Sequence, residues 1–233
     1  MTSIYLDNYP YSKYFKCYHV SEIDSTNTFL KATHILFQDH SILIADNQTN
    51  GRGRFDRVWK SDNDICFSIV FKKHYNNQII APLALELAFI RLGFVPAIKW
   101  PNDIYFNEKK LSGILIEDIY EDKFQASIIG IGINMTSKNE FNSIGINDIK
   151  KLSKEIIIST ILEEYEKLIH LDDATIINEY IKYSMVINRT IIYHDKEYKA
   201  LGITKDGHLI LDNNGIKKEV QCDEITFKEA IIK

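Results

Sequence analysis

The sequence predicts an α+β fold: a mixed β-sheet with flanking helices, followed by a small β-barrel at the C-terminal end. Short apolar runs typical of buried strands are spread through the first two thirds of the chain. Two amphipathic helical patterns follow at 151–171 and 172–186, with apolar residues at three- and four-residue steps. After residue 188, short β-rich runs alternate with turn signals. We therefore expect two domains, 1–187 and 188–233.

The first elements are predicted to be a lead-in, a helix and two strands. Residues 1–20 are rich in tyrosine and predict an irregular or strand-like segment. Four side chains able to cap a helix occupy 24–27, so a helix begins there. The nearly continuous apolar run at 41–45 predicts a buried strand, and 65–71 predicts the strand that returns beside it.

The second half of the first domain is predicted to be mostly strands around one buried helix. Residues 82–92 predict that helix, with Gly93 as its C-terminal stop. A strand at 97–100 is expected to be interrupted by Pro101 and to resume at 104–106. A turn at 107–110 then separates it from strands at 111–117 and 124–134.

Composition and charge exclude several classes of protein. The 233 residues are 45% hydrophobic and 26% charged, with a net charge of −4, so no general attraction to nucleic acid or anionic membrane is expected. Cys17, Cys66 and Cys222 are scattered and form neither a CxxC pair nor a metal-ligand pattern. No signal peptide and no apolar run of membrane-spanning length is present, which favours a cytoplasmic protein.

A basic loop at 51–59, named here the arginine loop, is prominent against this acidic background. It combines two glycines with three arginines and a tryptophan: Gly51, Arg52, Gly53, Arg54, Arg57 and Trp59. Glycine lets the backbone approach a ligand closely, and the guanidinium fork suits carboxylate and phosphate. The loop therefore predicts a clamp over an anion, although a basic surface turn would have the same composition.

A neutral polar cluster comes from two separate segments. Ser25, Thr26 and Asn27 begin the first helix, and Gln48 follows the first buried strand. Such donors and acceptors suit a neutral hydrogen-bonding ligand head, for example an amide or a urea. The alternative is that these side chains only cap the helix, but capping needs just one of them and leaves the others without an explanation.

A third cluster, at strand ends, suits phosphate chemistry. Lys99, Asn102, Asp103 and Lys110 lie where active-site groups commonly gather, and a lysine beside a lone carboxylate is typical of Mg²⁺-assisted nucleotide chemistry. The alternatives are an edge-strand lysine, an ordinary turn after proline and a solvated hairpin tip.

Three glycines near this cluster carry less information. Gly113, Gly130 and Gly132 could mark bulges or close strand contacts. The segment from Gly130 to Met135 lacks the third glycine and the following helix of a dinucleotide-binding motif, so that function is only weakly indicated.

Together the clusters indicate activation of a carboxylic acid by ATP. That reaction brings a carboxylate against the α-phosphate, and two like charges about 4 Å apart repel by roughly 4 kcal/mol at an effective dielectric constant of 20. Arg52, Arg54 and Lys110 are candidates to compensate this repulsion. Catalysis would then depend on alignment and electrostatics rather than on a protein nucleophile.

The motifs between residues 24 and 135 resemble the biotin protein ligase family, also called biotin–[acetyl-CoA-carboxylase] ligase. The resemblance rests on motifs in the family's order, of which Lys-Trp-Pro-Asn-Asp at 99–103 is the most specific: Asp-Ser-Thr-Asn at 24–27, Gln48, Gly-Arg-Gly-Arg at 51–54, Trp59, Lys-Leu-Ser-Gly at 110–113 and Gly-Ile-Gly-Ile-Asn-Met at 130–135. It implies a catalytic domain like that of class II aminoacyl-tRNA synthetases, followed by an SH3-like barrel.

The resemblance also implies the reaction and its partners. Biotin and MgATP would give biotinyl-5′-adenylate, and the acyl group would pass to a lysine of a biotin carboxyl carrier domain. Relatives often form homodimers through the main sheet, which leaves a homodimer open here.

Site roles follow from the same resemblance. Biotin would contact Ser25, Thr26, Asn27, Gln48, Gly51, Arg52, Gly53, Arg54, Lys110, Gly113, Gly130 and Gly132. The nucleotide would contact Arg52, Arg54, Arg57, Trp59, Lys99, Asn102, Asp103 and Asn134. Lys110, Arg54 and Asp103 would be catalytic, and Asp103 would also bind Mg²⁺.

The sequence departs from the family pattern at two places, and two rival functions are compatible with it. Asp56 stands where relatives often have glycine, and it could order the arginine loop or weaken its field. Only 23 residues precede Asp24, too few for a helix-turn-helix domain, so a monofunctional ligase without operator binding is expected. The rivals are a lipoate- or octanoyl-transferring enzyme and a non-catalytic module that binds a small acid or nucleotide.

Overall fold

The computed structural model describes residues 5–6, 11–55, 57–61, 63–138, 142–221, 223 and 225–227, so Asp56 and Cys222 lie outside the described residues. A mixed eight-stranded sheet forms its centre. Its strands in chain order are β1 (Tyr5–Leu6), β2 (Lys16–Ile23), β3 (Ser41–Gln48), β4 (Ile65–Phe71), β5 (Ala97–Lys99), β6 (Asp103–Phe106), β7 (Lys109–Tyr120) and β8 (Phe124–Ile133). The spatial order is β1-β2-β3-β4-β8-β7-β6-β5, and β2 and β3 are the parallel pair.

Helices cover both faces of this sheet. They are α1 (Thr26–Thr33), a 3₁₀ turn (His34–Leu36), α2 (Asn77–Arg91), α3 (Ile146–Ile149), α4 (Lys154–Leu168) and α5 (Asp173–Tyr183). Residues of β3 alternate between the faces: Ile42 and Ile44 belong to the core under α2 and α4, whereas Leu43 packs with Leu30 of α1. Burial on both faces explains why β3 and β4 have nearly continuous apolar sequences.

Most predicted elements are confirmed, including the helix that begins near residue 26 and the paired helices near the end of the first domain. Ser25 is the N-cap of α1 and accepts a hydrogen bond from the Thr28 backbone N–H. Gly93, the predicted helix stop, has φ +91°, a conformation in which glycine is unstrained. The short helix α3 was not predicted, because one turn leaves almost no periodic signal.

Two predictions of element boundaries were wrong. Helix α2 begins at Asn77, five residues before the predicted start, and Pro82 lies inside it. Proline removes one helical hydrogen bond, but burial of Ile79 and Ile80 holds the first turn in place. The interrupted strand at 97–106 is instead two antiparallel strands, with Lys99 opposite Asp103. The chain reverses between them at Pro101, which follows a cis peptide bond.

A second sheet follows at the predicted position. It contains β9 (Thr190–Tyr193), β10 (Lys196–Ile203), β11 (Leu209–Asn213), β12 (Ile216–Val220) and β13 (Thr226–Phe227), all antiparallel, in the order β12-β11-β10-β9-β13. The buried indole of Trp100 ties it to the main sheet by donating a 2.9 Å hydrogen bond to the Gly207 carbonyl. Among the described residues, no helix combines the length and apolar character needed to cross a membrane.

Candidate active site

A cavity of about 790 Å³ opens beside the N-terminus of α1, between the arginine loop and the β5–β6 turn. Seventeen of the eighteen predicted site residues line it: Ser25, Thr26, Asn27, Gln48, Arg52, Gly53, Arg54, Arg57, Trp59, Lys99, Asn102, Asp103, Lys110, Gly113, Gly130, Gly132 and Asn134. Gly51 is buried and does not line the cavity, and a Cβ atom there would come within 2.4 Å of the Trp59 carbonyl oxygen. Close packing at the base of the loop accounts for a glycine at this position.

The neutral polar cluster forms a hydrogen-bonded chain at one end of the cavity. The Gln48 Oε1 atom accepts from the Thr26 backbone N–H at 2.8 Å and from the Thr26 hydroxyl at 3.1 Å. The Thr26 hydroxyl also lies 2.7 Å from Ser68 Oγ, and Ser68 donates to Asn27 Oδ1 at 2.6 Å. Ser68 is fully buried on β4 and was missed from the sequence, since a single serine in an apolar strand gives no pattern. These paired donors and acceptors suit a neutral ligand head.

Glycines on β8 and β7 form a floor that lets other side chains lie against the sheet. A Cβ atom at Gly130 would come within 2.3 Å of Asn27 Oδ1, and one at Gly132 within 2.5 Å of the Trp59 ring. A Cβ atom at Gly113 would lie 3.1 Å from the Lys110 ammonium. The sequence left bulges and close strand contacts open for these glycines, and the structure shows instead that each allows a side chain to approach the strand closely.

The arginine loop folds as a small hairpin over the cavity. The backbone N–H of Trp59 donates to the Gly51 carbonyl at 2.9 Å, and Gly53 donates to Arg57 at 2.7 Å. At the hairpin tip, the Arg54 guanidinium donates to Asn102 Oδ1 at 2.9 Å. This hydrogen bond joins the tip of the hairpin to the turn that follows β5.

Cations dominate the other end of the cavity. The Lys110 ammonium forms a 2.8 Å ion pair with Asp103 and lies 5.9 Å from the centroid of the Trp59 ring. The Lys138 ammonium lies 5.5 Å from the centroid of the same ring. Lys99 donates to the Tyr105 hydroxyl at 3.3 Å. Burial, followed by the negative charge of Asp103, raises the pKa of Tyr105, so its hydroxyl stays protonated beside these groups.

Lys138 is a cavity residue that sequence reasoning missed. Its ammonium pairs with the fully buried carboxylate of Asp64, which also accepts a 3.0 Å hydrogen bond from the Met135 backbone N–H. Burial raises the pKa of Asp64 above its usual value, although hydrogen bonds from Lys138 and Met135 oppose that effect. Neither residue belongs to a recognisable motif, and the pairing across 74 residues appears only in the fold.

The C-terminal segment supplies part of the cavity wall. Asp223, Ile225 and Thr226 line it beside Lys99, whose ammonium lies 5.9 Å from the Phe227 ring centroid. The second sheet and the main sheet therefore share the cavity. Among the described residues, no group of three or more histidine, cysteine or acidic side chains could hold a metal ion alone.

The fold and motifs match known proteins. Residues 20–134 match the model of the biotin/lipoate A/B protein ligase family. The bifunctional ligase/repressor BirA of Bacillus subtilis is 33% identical over 239 residues, an alignment that spans 88% of this chain and 73% of that protein. The chain belongs to the biotin protein ligase family. The BirA protein of Escherichia coli is 29% identical over 237 residues, with 89% and 73% of the two chains covered.

Solved structures show the same fold as this biotin protein ligase family member. The biotin protein ligase of Aquifex aeolicus, solved in complex with biotin and ATP, superposes with a TM-score of 0.75 at 24% identity. The superposition covers 92% of this chain and 99% of that one. The biotin acetyl coenzyme A carboxylase synthetase of Helicobacter pylori, at 20% identity, gives a TM-score of 0.69 over 87% and 98% of the chains.

Proposed function

We propose that this biotin protein ligase family member joins biotin to ATP, forming biotinyl-5′-adenylate and pyrophosphate, and then transfers the biotinyl group to a lysine of a biotin carboxyl carrier domain. The observation that carries the proposal is the division of one cavity into a neutral hydrogen-bonding end and a cationic end. Biotin has a neutral ureido head and an anionic tail, and the nucleotide is a polyanion, so both substrates fit these two ends. The proposal is also supported by the cavity lining, which includes most of the residues that the resemblance assigns to the two substrates.

Thr26, Asn27, Gln48 and Ser25 would hold the ureido head. Thr26 and Gln48 already share hydrogen bonds, so their orientation is set before the ligand enters. The ureido group supplies two N–H donors and one carbonyl acceptor, which the mixed donors and acceptors of this chain can satisfy.

Arg54 and Lys110 would stabilise the charge that develops when the biotin carboxylate attacks the α-phosphate. The attack forms the acyl–phosphate bond and breaks the bond to pyrophosphate, which leaves with the electron pair. Lys99, Asn102, Asn134, Arg52, Arg57 and Trp59 would bind the nucleotide. In the second reaction, the neutral carrier amine attacks the acyl carbon, the bond from that carbon to the phosphate oxygen breaks, AMP leaves with the electron pair, and the nitrogen releases a proton to solvent as the amide forms.

Asp103 would hold Mg²⁺, which would neutralise phosphate charge when bound. The donor set fits this use, because Mg²⁺ bound with nucleotides commonly takes one or two carboxylates and completes its coordination with phosphates and waters. Asp103 is half-buried at the cavity wall and pairs with Lys110. Lys110 would exchange this partner for phosphate oxygen as the nucleotide enters.

We further propose the division at 187/188 into a catalytic domain and an SH3-like domain, supported by the separate second sheet. Cys66 is a buried free thiol, which supports the reducing cytoplasm that we propose as the location.

Transfer of biotin to a carrier domain is the decisive experiment. We expect biotin-dependent pyrophosphate release from MgATP and, with a purified carrier domain added, a labelled lysine. Lipoate and octanoate serve as parallel substrates. Release with lipoate but not with biotin would assign the rival transferase function, and tight biotin binding without turnover would assign a binding module.

Arg54→Gly is expected to shorten the retention of biotinyl-adenylate by about tenfold or more, because a charged hydrogen-bonding group contributes roughly 1.5–3 kcal/mol. Retention is measured by trapping released adenylate with a large excess of free amine. Pyrophosphate release in the same variant is the control, and it should persist. Retention equal to that of the unaltered chain would contradict a clamp role for Arg54.

Gly130→Ala is expected to weaken biotin binding by about tenfold or more. The added Cβ would lie 2.3 Å from Asn27 Oδ1, so Asn27 must move and lose its hydrogen bond from Ser68. Gly202→Ala on β10 is the matched control, since no heavy atom lies within 4 Å of its added Cβ. Titration calorimetry with biotin compares them, and equal affinities would exclude this role for the Asn27–Gly130 contact.

A further inference from the structure

Glu117 is an acidic residue near the cavity to which no role has been assigned. It lies on β7, on the same sheet face as Gly113, and its side chain is only 12% exposed. A carboxylate so far removed from water is stable only when cations or hydrogen-bond donors surround it. Three residues from two segments of the chain supply them.

The first two partners come from α1. The Lys31 ammonium lies 2.9 Å from Glu117 Oε1, and Asn27 Nδ2 donates to Glu117 Oε2 at 3.1 Å. The third partner is Arg52 of the arginine loop, whose two guanidinium nitrogens lie 3.4 and 3.5 Å from the two carboxylate oxygens. Arg52 also donates to the Thr28 hydroxyl at 3.3 Å. Arg52 thus fastens the flank of the hairpin to β7 and α1.

The ionised state of Glu117 agrees with this arrangement. Burial raises the pKa of its carboxyl, but hydrogen bonds from Lys31 and Asn27 and the charge of Arg52 outweigh that effect. The net result is a pKa below the usual value. Glu117 therefore carries its charge at every pH where the protein would work.

Glu117 also connects two parts of the cavity by hydrogen bonds. The chain of contacts runs from Gln48 through Thr26, Ser68 and Asn27 to Glu117, and from there to Arg52. One end is the neutral polar cluster, and the other end is the arginine loop. A change in the position of Asn27 would thus reach the loop through a single carboxylate.

We propose that Glu117 is a positioning residue that holds the arginine loop closed and links its order to occupancy of the neutral polar cluster. The claim that Glu117 holds the loop closed follows from the contacts above and does not depend on which substrate is bound. The further claim that a closed loop retains an acyl-adenylate rests on the proposed function.

The first experiment measures loop order without any catalytic readout. Trypsin cleaves after arginine only where the backbone can open locally, so cleavage at Arg52, Arg54 and Arg57 reports loop opening. We expect Glu117→Gln to be cleaved there about tenfold faster than the unaltered chain, because the charged pair with Arg52 is lost. Glu121→Gln removes the same charge from the exposed turn after β7 and is the matched control. Fragment masses identify the sites, and cleavage after Arg91 and Arg189 monitors general unfolding.

A double-variant comparison assigns the effect to the contact with Arg52. If Glu117 acts through Arg52, a double variant that carries both Arg52→Gln and Glu117→Gln will be cleaved after Arg54 and Arg57 no faster than either single variant. Glu117→Asp should recover part of the protection. Biotin should slow loop cleavage in the unaltered chain more than in Glu117→Gln.

The outcomes separate the inference from the proposed function. Loop cleavage of Glu117→Gln equal to that of Glu121→Gln, or additive effects in the double variant, would overturn the positioning role. Faster cleavage together with faster loss of biotinyl-adenylate supports both proposals. Faster cleavage with unchanged adenylate retention would support the positioning role and count against the clamp.

Discussion

Lys110→Ala is expected to slow biotinyl-adenylate formation by about a thousandfold while weakening biotin binding much less. The carboxylate and the α-phosphate must approach each other, and their repulsion amounts to roughly 4 kcal/mol at about 4 Å and an effective dielectric constant of 20. In the proposed reaction Lys110 would offset that repulsion, because its ammonium lies at the cationic end of the cavity, 2.8 Å from Asp103 before the nucleotide enters. Its contribution grows as the reacting groups meet, so the rate suffers more than binding.

Single-turnover pyrophosphate release gives the rate, and calorimetry gives the biotin affinity. Lys109→Ala is the matched control, because Lys109 is the exposed neighbour of Lys110 on β7 and does not line the cavity. We expect that control to retain both properties. Equal losses of rate and affinity in Lys110→Ala would mean that Lys110 binds the ground state rather than the transition state.

Glu86→Leu is expected to stabilise the protein by about 3 kcal/mol at pH 7 and to flatten its dependence on pH. Glu86 lies fully buried on α2, and neither carboxylate oxygen has a hydrogen-bond partner among the described residues. Burial raises the pKa of this carboxyl to about 8. The folded chain therefore keeps a proton that the unfolded chain releases near pH 4.5.

The sign of the pH effect follows from that difference. Below pH 4.5 Glu86 is protonated in both the folded and the unfolded chain, so its ionisation does not change the free energy of unfolding. Between pH 4.5 and 8 only the unfolded chain releases the proton, so the free energy of unfolding falls as the pH rises. Urea unfolding between pH 5 and 8 should show this decline in the unaltered chain and a smaller one in Glu86→Leu. Glu121→Leu, an exposed substitution, should keep the decline. A parallel decline in Glu86→Leu would show that another group is responsible.

The sequence predicted most strands because their signals are local. A strand buried on both faces, such as β3, is a continuous apolar run, and no tertiary knowledge is needed to see it. The errors at Pro82 and Pro101 have a common cause. Proline marks both helix starts and chain reversals, and only burial of Ile79 or the pairing of Lys99 with Asp103 decides which occurs.

Motifs predicted the cavity lining well because many of the residues that line it are clustered in sequence. The supporting residues were missed for a physical reason. Glu117 meets Asn27 across 90 positions, and Asp64 meets Lys138 across 74, so neither pair leaves a local pattern. Ser68 was hidden in the same way within an apolar strand. Asp56, for which the sequence predicts either an ordering or a weakening effect on the arginine loop, lies outside the described residues.

The charge of the cavity has a consequence for the speed of substrate capture. Among the described residues, seven cationic side chains and two carboxylates line it: Arg52, Arg54, Arg57, Lys60, Lys99, Lys110, Lys138, Asp103 and Asp223. The chain as a whole has a net charge of −4, so a cavity lined mainly by cations lies in a protein of negative net charge. Such a field steers a polyanion during diffusion and can raise association rates by about tenfold or more. Added salt should therefore slow the arrival of nucleotide far more than that of singly charged biotin.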